Sequence, residues 1–349
     1  MLLFSHLMLK AVESACAGQP DKVCDQVADA LVDEFVRRDP ASSVDLSVLG
    51  SHGMLMVAGE VDSRADFDLA SLAKKAYAEA GYADEVEVFV NVEKPSDEMK
   101  GAPRGATDTR VVRGYATRET REMLPRPVVY AHAMTRRLDE LRRLDPLFGW
   151  LKSDGKAQVV MDGDRVHAVT VLASHGAGIS PREVKRALIE RVIVPVMGEE
   201  PPAIHVNPLG AFVTDGFHAD SGMSGRHAES DAYGALVPFG TALSGRDPYK
   251  RAGAYLARHA ARSIVAQGLA QAVTVTVAYT MGRAEPILVE VRGVLEKSRG
   301  AKLDLTEVTR REYDFRPEAA VERLSLARPL YRAASLYGQF GRGGFPWEE

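Results

Sequence analysis

The residues best suited to chemistry form the run 18–22, GQPDK, at the start of a predicted amphipathic helix. Proline is favoured in the first helical turn, and apolar residues recur at near-helical spacing from Val23 to Phe35. A helix N-terminus presents unpaired amides and a partial positive charge, so Lys22 can add to an anion site while Asp21 holds a hard cation that bridges phosphate oxygens. The alternative interpretation is structural: Asp21 complements the helix dipole and Lys22 is solvated.

Three glycine-punctuated segments, 207–210, 220–227 and 244–251, form a second candidate cluster. Their glycines let the backbone approach a ligand closely, and basic residues such as Arg226 and Lys250 can gather around its phosphates. Ordinary turns with solvated charges are the alternative interpretation. The occurrence of all three just ahead of a long predicted helix favours the phosphate site.

Several familiar catalytic motifs are absent from the chain. It contains no Gly-x-x-x-x-Gly-Lys phosphate loop, no dinucleotide loop after a strand, no nucleophile elbow and no histidine-rich metal motif. A reaction that relies on positive charge and a metal, without a general base, fits this inventory. Attack by a neutral thioether on a carbon that bears a polyphosphate is such a reaction, because no proton has to be removed and leaving-group stabilisation can carry the rate.

The composition is that of an ordinary globular protein. The 349 residues can bury a sizeable core over two or three domains, and a net charge of −4 gives no support for a nucleic-acid or membrane partner. The apolar residues 1–4 are soon followed by His6, so we predict a first strand there and not a signal peptide. Two cysteines, Cys16 and Cys24, without clustered histidines indicate a reduced, cytoplasmic protein.

The pattern of predicted elements repeats along the chain. Strands with helices between them recur three times, which indicates an α+β fold of three units, each with helices covering one face of a mainly antiparallel sheet. The predicted elements are strands 44–49, 54–61 and 85–92 with helix 67–79, which Gly81 ends; strands 156–161, 165–172 and 203–207 with a helix that starts in a capping box of Ser180 and Glu183; and helices 249–267 and 306–313 with strands 272–280 and 287–291.

Nine short blocks then occur in order along nearly the whole chain. They are 13–14, 18–22, 58–60, 105–108, 114–117, 220–226, 244–250, 337–342 and 345–348. Together these blocks resemble the S-adenosylmethionine synthetase family. A series of separate blocks in the right order is far more specific than any one of them, so the chain is identified as a divergent member of that family.

The resemblance implies a fold, a reaction and partners. The fold is three similar domains related by pseudo-threefold symmetry, expected near residues 1–95, 105–218 and 219–349, with strands exchanged between domains. The family joins methionine to the 5′ carbon of ATP, expels triphosphate and hydrolyses it to phosphate and pyrophosphate, using Mg²⁺ and K⁺. It works as a homodimer with active sites between subunits, and some dimers pair further into tetramers.

Carried over block by block, the resemblance implies roles for individual residues. Asp21 holds Mg²⁺, Glu60 serves the K⁺ site and Glu13 lies near the nucleotide. Phe217 either stacks on adenine or packs in the core. The residues expected nearest the chemistry are Gln19, Lys22, Lys156 and Arg226. The other implied contacts are to the polyphosphate from Lys22, Lys156, Arg226, His227 and Arg246, to the nucleotide from Asp220, and to the amino acid from Asp108, Asp220 and Lys250.

Several positions depart from the family pattern. Gln19 replaces a histidine beside the leaving group, which exchanges a cationic donor for a neutral one. His227 and Arg246 each replace a lysine. Ala252 stands where a second Mg²⁺-binding aspartate is expected, with Asp247 as a candidate substitute. The methionine-recognition positions also differ, at Ala70 or Ser71, in Pro95-Ser96-Asp97 and in the block 105–110.

Two functions from different classes follow. The first is ATP-dependent adenosyl transfer to methionine or a related sulfur amino acid; the alternative is a catalytically impaired nucleotide-binding homologue that acts as a regulatory subunit. A chain that keeps only triphosphate hydrolysis needs the same basic cluster. We interpret His132 and His205 as structural or surface histidines, and the arginine-rich run 136–143 as a solvated helical face.

Overall fold

The computed structural model describes residues 9–100, 106–295 and 304–349. The strand predicted at residues 1–4 and Gly105 of the fourth block lie outside the described residues. The described strands are β1 (Leu9–Ala15), β2 (Ser43–Ser51), β3 (Met54–Asp62), β4 (Glu87–Glu93), β5 (Arg110–Thr117), β6 (Leu151–Asp162), β7 (Arg165–His175), β8 (Ile204–Val206), β9 (Gly222–Met223), β10 (Ala270–Tyr279) and β11 (Leu288–Leu295).

Helices connect these strands. The described helices are α1 (Pro20–Arg38), α2 (Leu69–Ala80), α3 (Asp97–Lys100), α4 (Arg126–Leu144), α5 (Pro181–Leu188), α6 (Val194–Met197), α7 (Ala228–Tyr233), α8 (Pro248–Ala266), α9 (Leu305–Glu312), α10 (Pro317–Arg323) and α11 (Tyr331–Ala334), with a π-helical turn at Ile189–Ile193 and 3₁₀ turns at Pro146–Phe148, Gly216–His218 and Pro346–Glu348.

The strands form three sheets, with the orders β1-β6-β7-β8, β4-β3-β2-β9 and β11-β10-β5. Two neighbouring pairs, β3–β4 and β7–β8, are parallel, and the other described pairs are antiparallel. The predicted α+β class with mainly antiparallel sheets is therefore confirmed. Each sheet contains strands that are far apart in the chain, because β1 pairs with β6, β9 with β2 and β5 with β10.

Long helices pack on one face of each sheet. Helix α4 contacts β1 and β6, α1 contacts β2, and α8 contacts β5 and β10. Successive strand residues point to opposite faces, so β3 buries Leu55 and Val57 beneath helices while Met56 and Glu60 stay exposed. We call the face that carries Met56 and Glu60, and its counterpart on the other two sheets, the open face.

Local sequence signals set many of the element boundaries. Ser180 forms the predicted capping box with Glu183, and Gly81 ends α2 in a left-handed conformation with φ of 117°. Both predictions are confirmed. The pattern analysis missed β5 and the strand at Leu9–Ala15, whose short apolar runs carry no strong turn signals of their own.

The two cysteine thiols are buried. Cys16 and Cys24 form no disulfide, and burial raises the pKa of both thiols. No helix within the described ranges is long and apolar enough to cross a membrane.

A buried ion pair fastens the C-terminal turn to α8. Arg258 is fully buried, and its Nε and Nη2 atoms donate to the two carboxylate oxygens of Glu348 at 2.9 Å each. Other Arg258 donors bond the carbonyls of Tyr115, Glu122 and Met123. A guanidinium in this position needs its counter-ion, because an unpaired buried charge is costly.

We therefore expect Glu348→Ala to lower the free energy of unfolding by about 3 kcal/mol or more, since it leaves Arg258 buried without its carboxylate. Glu349→Ala removes a neighbouring exposed acid and is the matched control, with an expected change within about 0.5 kcal/mol. Urea unfolding followed by circular dichroism measures both. Equal stability of the two variants would contradict this account of the pair.

Candidate functional site

The motif 18–22 spans the end of the tight turn after β1 and the first residues of α1. Gln19 is the N-cap of α1, and its side-chain Oε1 accepts a hydrogen bond from Lys22 N at 3.1 Å. A Cβ at position 18 would lie 2.2 Å from Ser153 Oγ, and one at Gly222 would lie 2.1 Å from the Pro20 carbonyl oxygen. Glycine at both positions thus lets β6 and β9 approach the start of the helix.

Asp21 gathers the first group of predicted residues. Its Oδ1 accepts from Met223 N at 2.8 Å and lies 3.3 Å from Arg226 Nη1; its Oδ2 lies 3.3 Å from both Gln19 Nε2 and His227 Nε2. Burial alone would raise the pKa of Asp21, but the contacts with His227, Met223 and Gln19 outweigh it and lower the pKa to about 2. Asp21 is therefore a carboxylate at neutral pH.

Lys22 points away from this group into the protein. Its side chain is 1% exposed, and Nζ lies 2.8 Å from Asp25 and 2.5 Å from Asp231. Burial would lower the pKa of Lys22, but the two carboxylates raise it above its usual range. The interpretation of Lys22 as a solvated side chain is wrong. Its ammonium is committed to a buried triad with two aspartates, and its contact with phosphate stays a prediction.

Glu13 and Lys156 form a second group on the open face of the first sheet. They lie on neighbouring strands β1 and β6, and Lys156 Nζ is 3.0 Å from Glu13 Oε1. Both side chains are about one-third exposed, at 32% for Lys156 and 39% for Glu13. Lys156 is paired in register with Ala15, just before the turn that carries Gln19. The pair therefore borders the α1 N-terminus.

Asp45 assembles a third group that the sequence analysis missed. Arg246 Nη1 lies 3.0 and 2.9 Å from its two carboxylate oxygens, and Lys250 Nζ lies 2.9 Å from Oδ2. Asp45 stands opposite Glu60 in the β2–β3 register, so Glu60 shares this end of the open face. The backbone of β2 links the group to Met223, which pairs with Leu49. Nothing in the local sequence around Asp45 signals this role, because its partners lie two hundred residues away.

Asp108 and Lys250, predicted to hold the amino acid, line the same small pocket of about 20 Å³. Arg110 completes it: Nη2 is 3.0 Å from Asp108 Oδ2 and Nη1 donates to the Lys250 carbonyl at 2.6 Å. The sequence analysis did not assign Arg110 a role, although the Asp-x-Arg spacing on one strand end was available as a signal. Asp220, the third predicted residue, is exposed and its Oδ1 accepts from Ser221 N at 2.7 Å.

Two predictions need correction. The ring of Phe217 is 1% exposed, stacks on Tyr77 with centroids 5.5 Å apart, and fills the space beside Gly50, so it is a core residue and not an open platform for adenine. By contrast with Phe217, the side chain of Phe212, an aromatic residue earlier in the same segment, is only partly buried. Asp247 is not a free metal ligand, because its two oxygens accept from Lys250 N at 2.9 Å and Val44 N at 2.8 Å.

Three family models match this chain almost from end to end. The N-terminal, central and C-terminal domains of S-adenosylmethionine synthetase match residues 8–96, 103–212 and 214–349. The chain belongs to the S-adenosylmethionine synthetase family.

Named synthases are similar to this chain over most of their length. The S-adenosylmethionine synthase of Thermus thermophilus is 36% identical, covering 98% of this chain and 96% of its own. The enzyme of Aquifex aeolicus is 35% identical with the same coverage, and that of Sorangium cellulosum is 35% identical, covering 97% of this chain and 86% of its own. The family resemblance inferred from the nine blocks is therefore confirmed.

The described ranges offer few protein ligands for a metal ion of the kind that the family requires. The described ranges contain no group of three or more His, Cys, Asp or Glu side chains that could hold a metal ion. Ala252 is fully buried in α8 and Asp247 is engaged, which leaves Asp21 as the carboxylate beside the helix N-terminus. Mg²⁺ commonly binds one or two carboxylates together with substrate phosphates and water, so this donor set fits an ion that arrives with a nucleotide.

The triad of Lys22 gives a test of its structural role. We expect Lys22→Met to lower the free energy of unfolding by about 3 kcal/mol or more, because Asp25 and Asp231 lose their buried counter-ion. Lys75→Met is the control; Lys75 is 70% exposed and 3.9 Å from Glu79, so its loss should cost about 0.5 kcal/mol or less. Chemical denaturation of both variants provides the comparison. A Lys22→Met protein as stable as the control would show that the lysine serves a ligand and not the fold.

Proposed function

We propose that this chain transfers the adenosyl group of ATP to the sulfur of methionine or a related sulfur amino acid, forming S-adenosylmethionine and releasing phosphate and pyrophosphate. The observation that carries the proposal is the grouping of Asp21, Arg226, Lys156, Arg246 and Lys250 around one helix N-terminus and two open sheet faces, in a chain that the three family models match almost from end to end. The four cations can meet the negative charge of a polyphosphate leaving group, and the Asp21 carboxylate can hold its metal ion.

The reaction needs positive charge more than proton transfer. A lone pair of the neutral thioether sulfur forms the new bond to the 5′ carbon, the carbon–oxygen bond breaks, and its electron pair leaves with triphosphate. Arg226, which is 48% exposed, and Lys156 can face that developing charge. Gln19 supplies a neutral amide donor at the same helix end, where Nε2 is 3.3 Å from Asp21 Oδ2. No general base is needed at any step of the transfer.

In this proposal Asp21 holds Mg²⁺ and Glu60 serves K⁺. A bound Mg²⁺ neutralises phosphate charge and orients the chain of phosphates. Asp21 is already ionised at neutral pH, so it does not have to lose a proton before it binds the ion. A hydrogen bond from Met223 N holds its carboxylate in place. Glu60 is exposed, and its neighbour Asp45 is already neutralised by Arg246 and Lys250.

The amino acid is assigned to the Asp108, Asp220 and Lys250 region. Asp108 is 44% exposed and can pair with an amino group, although Arg110 already neutralises part of its charge. Lys250 Nζ is shared with Asp45, so a substrate carboxylate would compete with that aspartate for the ammonium. The pairing of Asp108 with Arg110 supports an acceptor site that is altered from the family pattern.

A homodimer with active sites between subunits accords with the open faces. They combine site residues with exposed apolar side chains, among them Leu9, Leu49, Met56, Phe89 and Val294. Exposed apolar surface of this kind is typical of a protein interface. A second subunit that covers these faces would also bring its own charges close to Glu13, Lys156 and Glu60.

Product analysis tests the proposed reaction directly. Purified protein with ATP, Mg²⁺, K⁺ and methionine should give S-adenosylmethionine, phosphate and pyrophosphate by mass spectrometry. A parallel pool of methionine analogues identifies the preferred acceptor, and a reaction without any acceptor measures hydrolysis alone. Phosphate release with no adenosylated product from any acceptor would overturn the proposal.

Lys156 provides the matching substitution. We expect Lys156→Ala to reduce kcat/KM about 100-fold or more, because it removes a charged donor near the leaving group. Lys10→Ala is the control: Lys10 lies on the same sheet, is 33% exposed and pairs with Glu119 at 3.6 Å, but it points to the opposite face of β1 from Glu13. Undiminished product formation by Lys156→Ala, or an equal loss in both variants, would remove Lys156 from the reaction.

A further inference from the structure

A second cleft lies on the other side of the first sheet from Glu13 and Lys156. It opens between α4, which covers that sheet, and the C-terminal segment 337–343, and it encloses about 620 Å³. Its polar lining is mostly basic. The residues that matter here are Arg121, His132, Arg136, Arg137, Tyr337 and Arg342.

The charges of this cleft do not cancel. Arg121 is neutralised by Glu122 at 3.4 Å and Arg137 by Glu140 at 3.6 Å. Within the described ranges, Arg136 and Arg342 have no carboxylate partner within 4.0 Å. Two guanidinium groups therefore line one cavity without a counter-ion from these parts of the chain.

The two arginines are held in place by groups that do not use up their donors. Arg342 Nη2 donates to the carbonyls of Ala333 at 2.9 Å and Gly338 at 3.1 Å, while its Nε is buried without a partner. Arg136 lies over the Tyr337 ring at 5.9 Å from its centroid. Burial and the nearby Arg136 lower the pKa of Arg342 to about 10, as expected for two cations that repel each other.

His132 forms part of the same lining. His132 is only 6% exposed. Its Nδ1 is 2.8 Å from Ser14 Oγ, and its buried Nε2 has no hydrogen-bond partner among the described residues. Burial and the neighbouring cations lower the pKa of His132 to about 3, so the ring is neutral and adds no third charge. The cleft thus combines two unneutralised guanidinium groups with unused polar atoms.

We propose that this cleft is a binding site for a small, multiply charged oxyanion of the phosphate or pyrophosphate class, held chiefly by Arg136 and Arg342. A planar guanidinium matches such oxyanions by paired hydrogen bonds, and an anion here also relieves the repulsion between the two arginines. The site is distinct from the groups around Asp21, Lys156 and Asp45, and it does not depend on the proposed reaction.

The cleft is connected to the turn just before the motif 18–22 by two hydrogen bonds. Tyr337 Oη donates to Asp139 Oδ2 at 2.9 Å, and the same oxygen accepts from Ala17 N at 3.1 Å. Arg136 and Arg143 are exposed, as expected for a solvated helical face, but Asp139 of the same run is buried. An anion that orders Tyr337 and Arg342 therefore also steadies the turn that precedes Gln19.

Hydrogen exchange with mass spectrometry tests the site. Pyrophosphate and, separately, inorganic phosphate are added to the full protein, with sodium chloride at equal ionic strength as the reference. We expect protection of residues 129–143 and 337–343 beyond that in chloride. Protection by both anions assigns the site to the phosphate group, and protection by pyrophosphate alone assigns it to the diphosphate; no protection by either overturns the proposal.

Three variants locate the effect. Arg136→Glu should weaken binding of the anion about tenfold or more, because the substitution replaces a cation by a carboxylate that repels it. Arg136 is exposed and makes no hydrogen bond to any residue that the structure describes, so its loss should leave the fold intact. Arg182→Glu, an exposed arginine at the start of α5, is the control for general charge and should bind as wild type. Arg226→Ala should also retain protection, which separates this cleft from the phosphate contacts near Asp21. Unchanged binding by Arg136→Glu, or an equal loss in Arg182→Glu or Arg226→Ala, would refute the assignment.

Discussion

The arrangement of the site depends on one buried ammonium. Lys22 Nζ is shared by Asp25 of α1 and Asp231 of α7, and a charge in this position is tolerated only because both carboxylates meet it. The same two aspartates reach further, since Asp25 accepts from Gly225 N at 2.8 Å and the Asp231 carbonyl accepts from Gln339 N at 2.8 Å. The segment 225–231 and the C-terminal segment around Gln339 are thereby fixed around the start of α1.

The sheets that contain β1 and β3 pack their helix-covered faces into the core and carry candidate site residues on their open faces. Alternation along β3 sends Leu55 and Val57 beneath the helices, whereas Met56 and Glu60 stay on the open face, and β1 and β6 place Glu13 and Lys156 in the same way. The charges of Glu13, Lys156 and Glu60 therefore do not have to be accommodated within the helix-covered core. The arrangement also explains why apolar and charged side chains are mixed on the faces that remain uncovered.

Much of the fold was predictable because its signals are local. The proline and apolar spacing of α1, the capping box at Ser180 and the glycine after α2 each act within a few residues, and all were recognised correctly. The errors concern contacts over long separations. Nothing near Lys22 or Asp247 in the sequence reveals that Asp231 or the amide of Val44 will occupy them, and Asp45 gained its role only through Arg246 and Lys250.

The pairing of β9 with β2 has a consequence for synthesis of the chain. Val48 N donates to Ser224 Oγ across 176 residues, next to the two-residue strand that closes this edge of the sheet. At 5–20 residues per second, β2 waits roughly ten to thirty-five seconds on the ribosome before that partner is made. Throughout this interval its edge amides and carbonyls are open to other strands, so the nascent protein is most exposed to misassociation before its C-terminal third emerges.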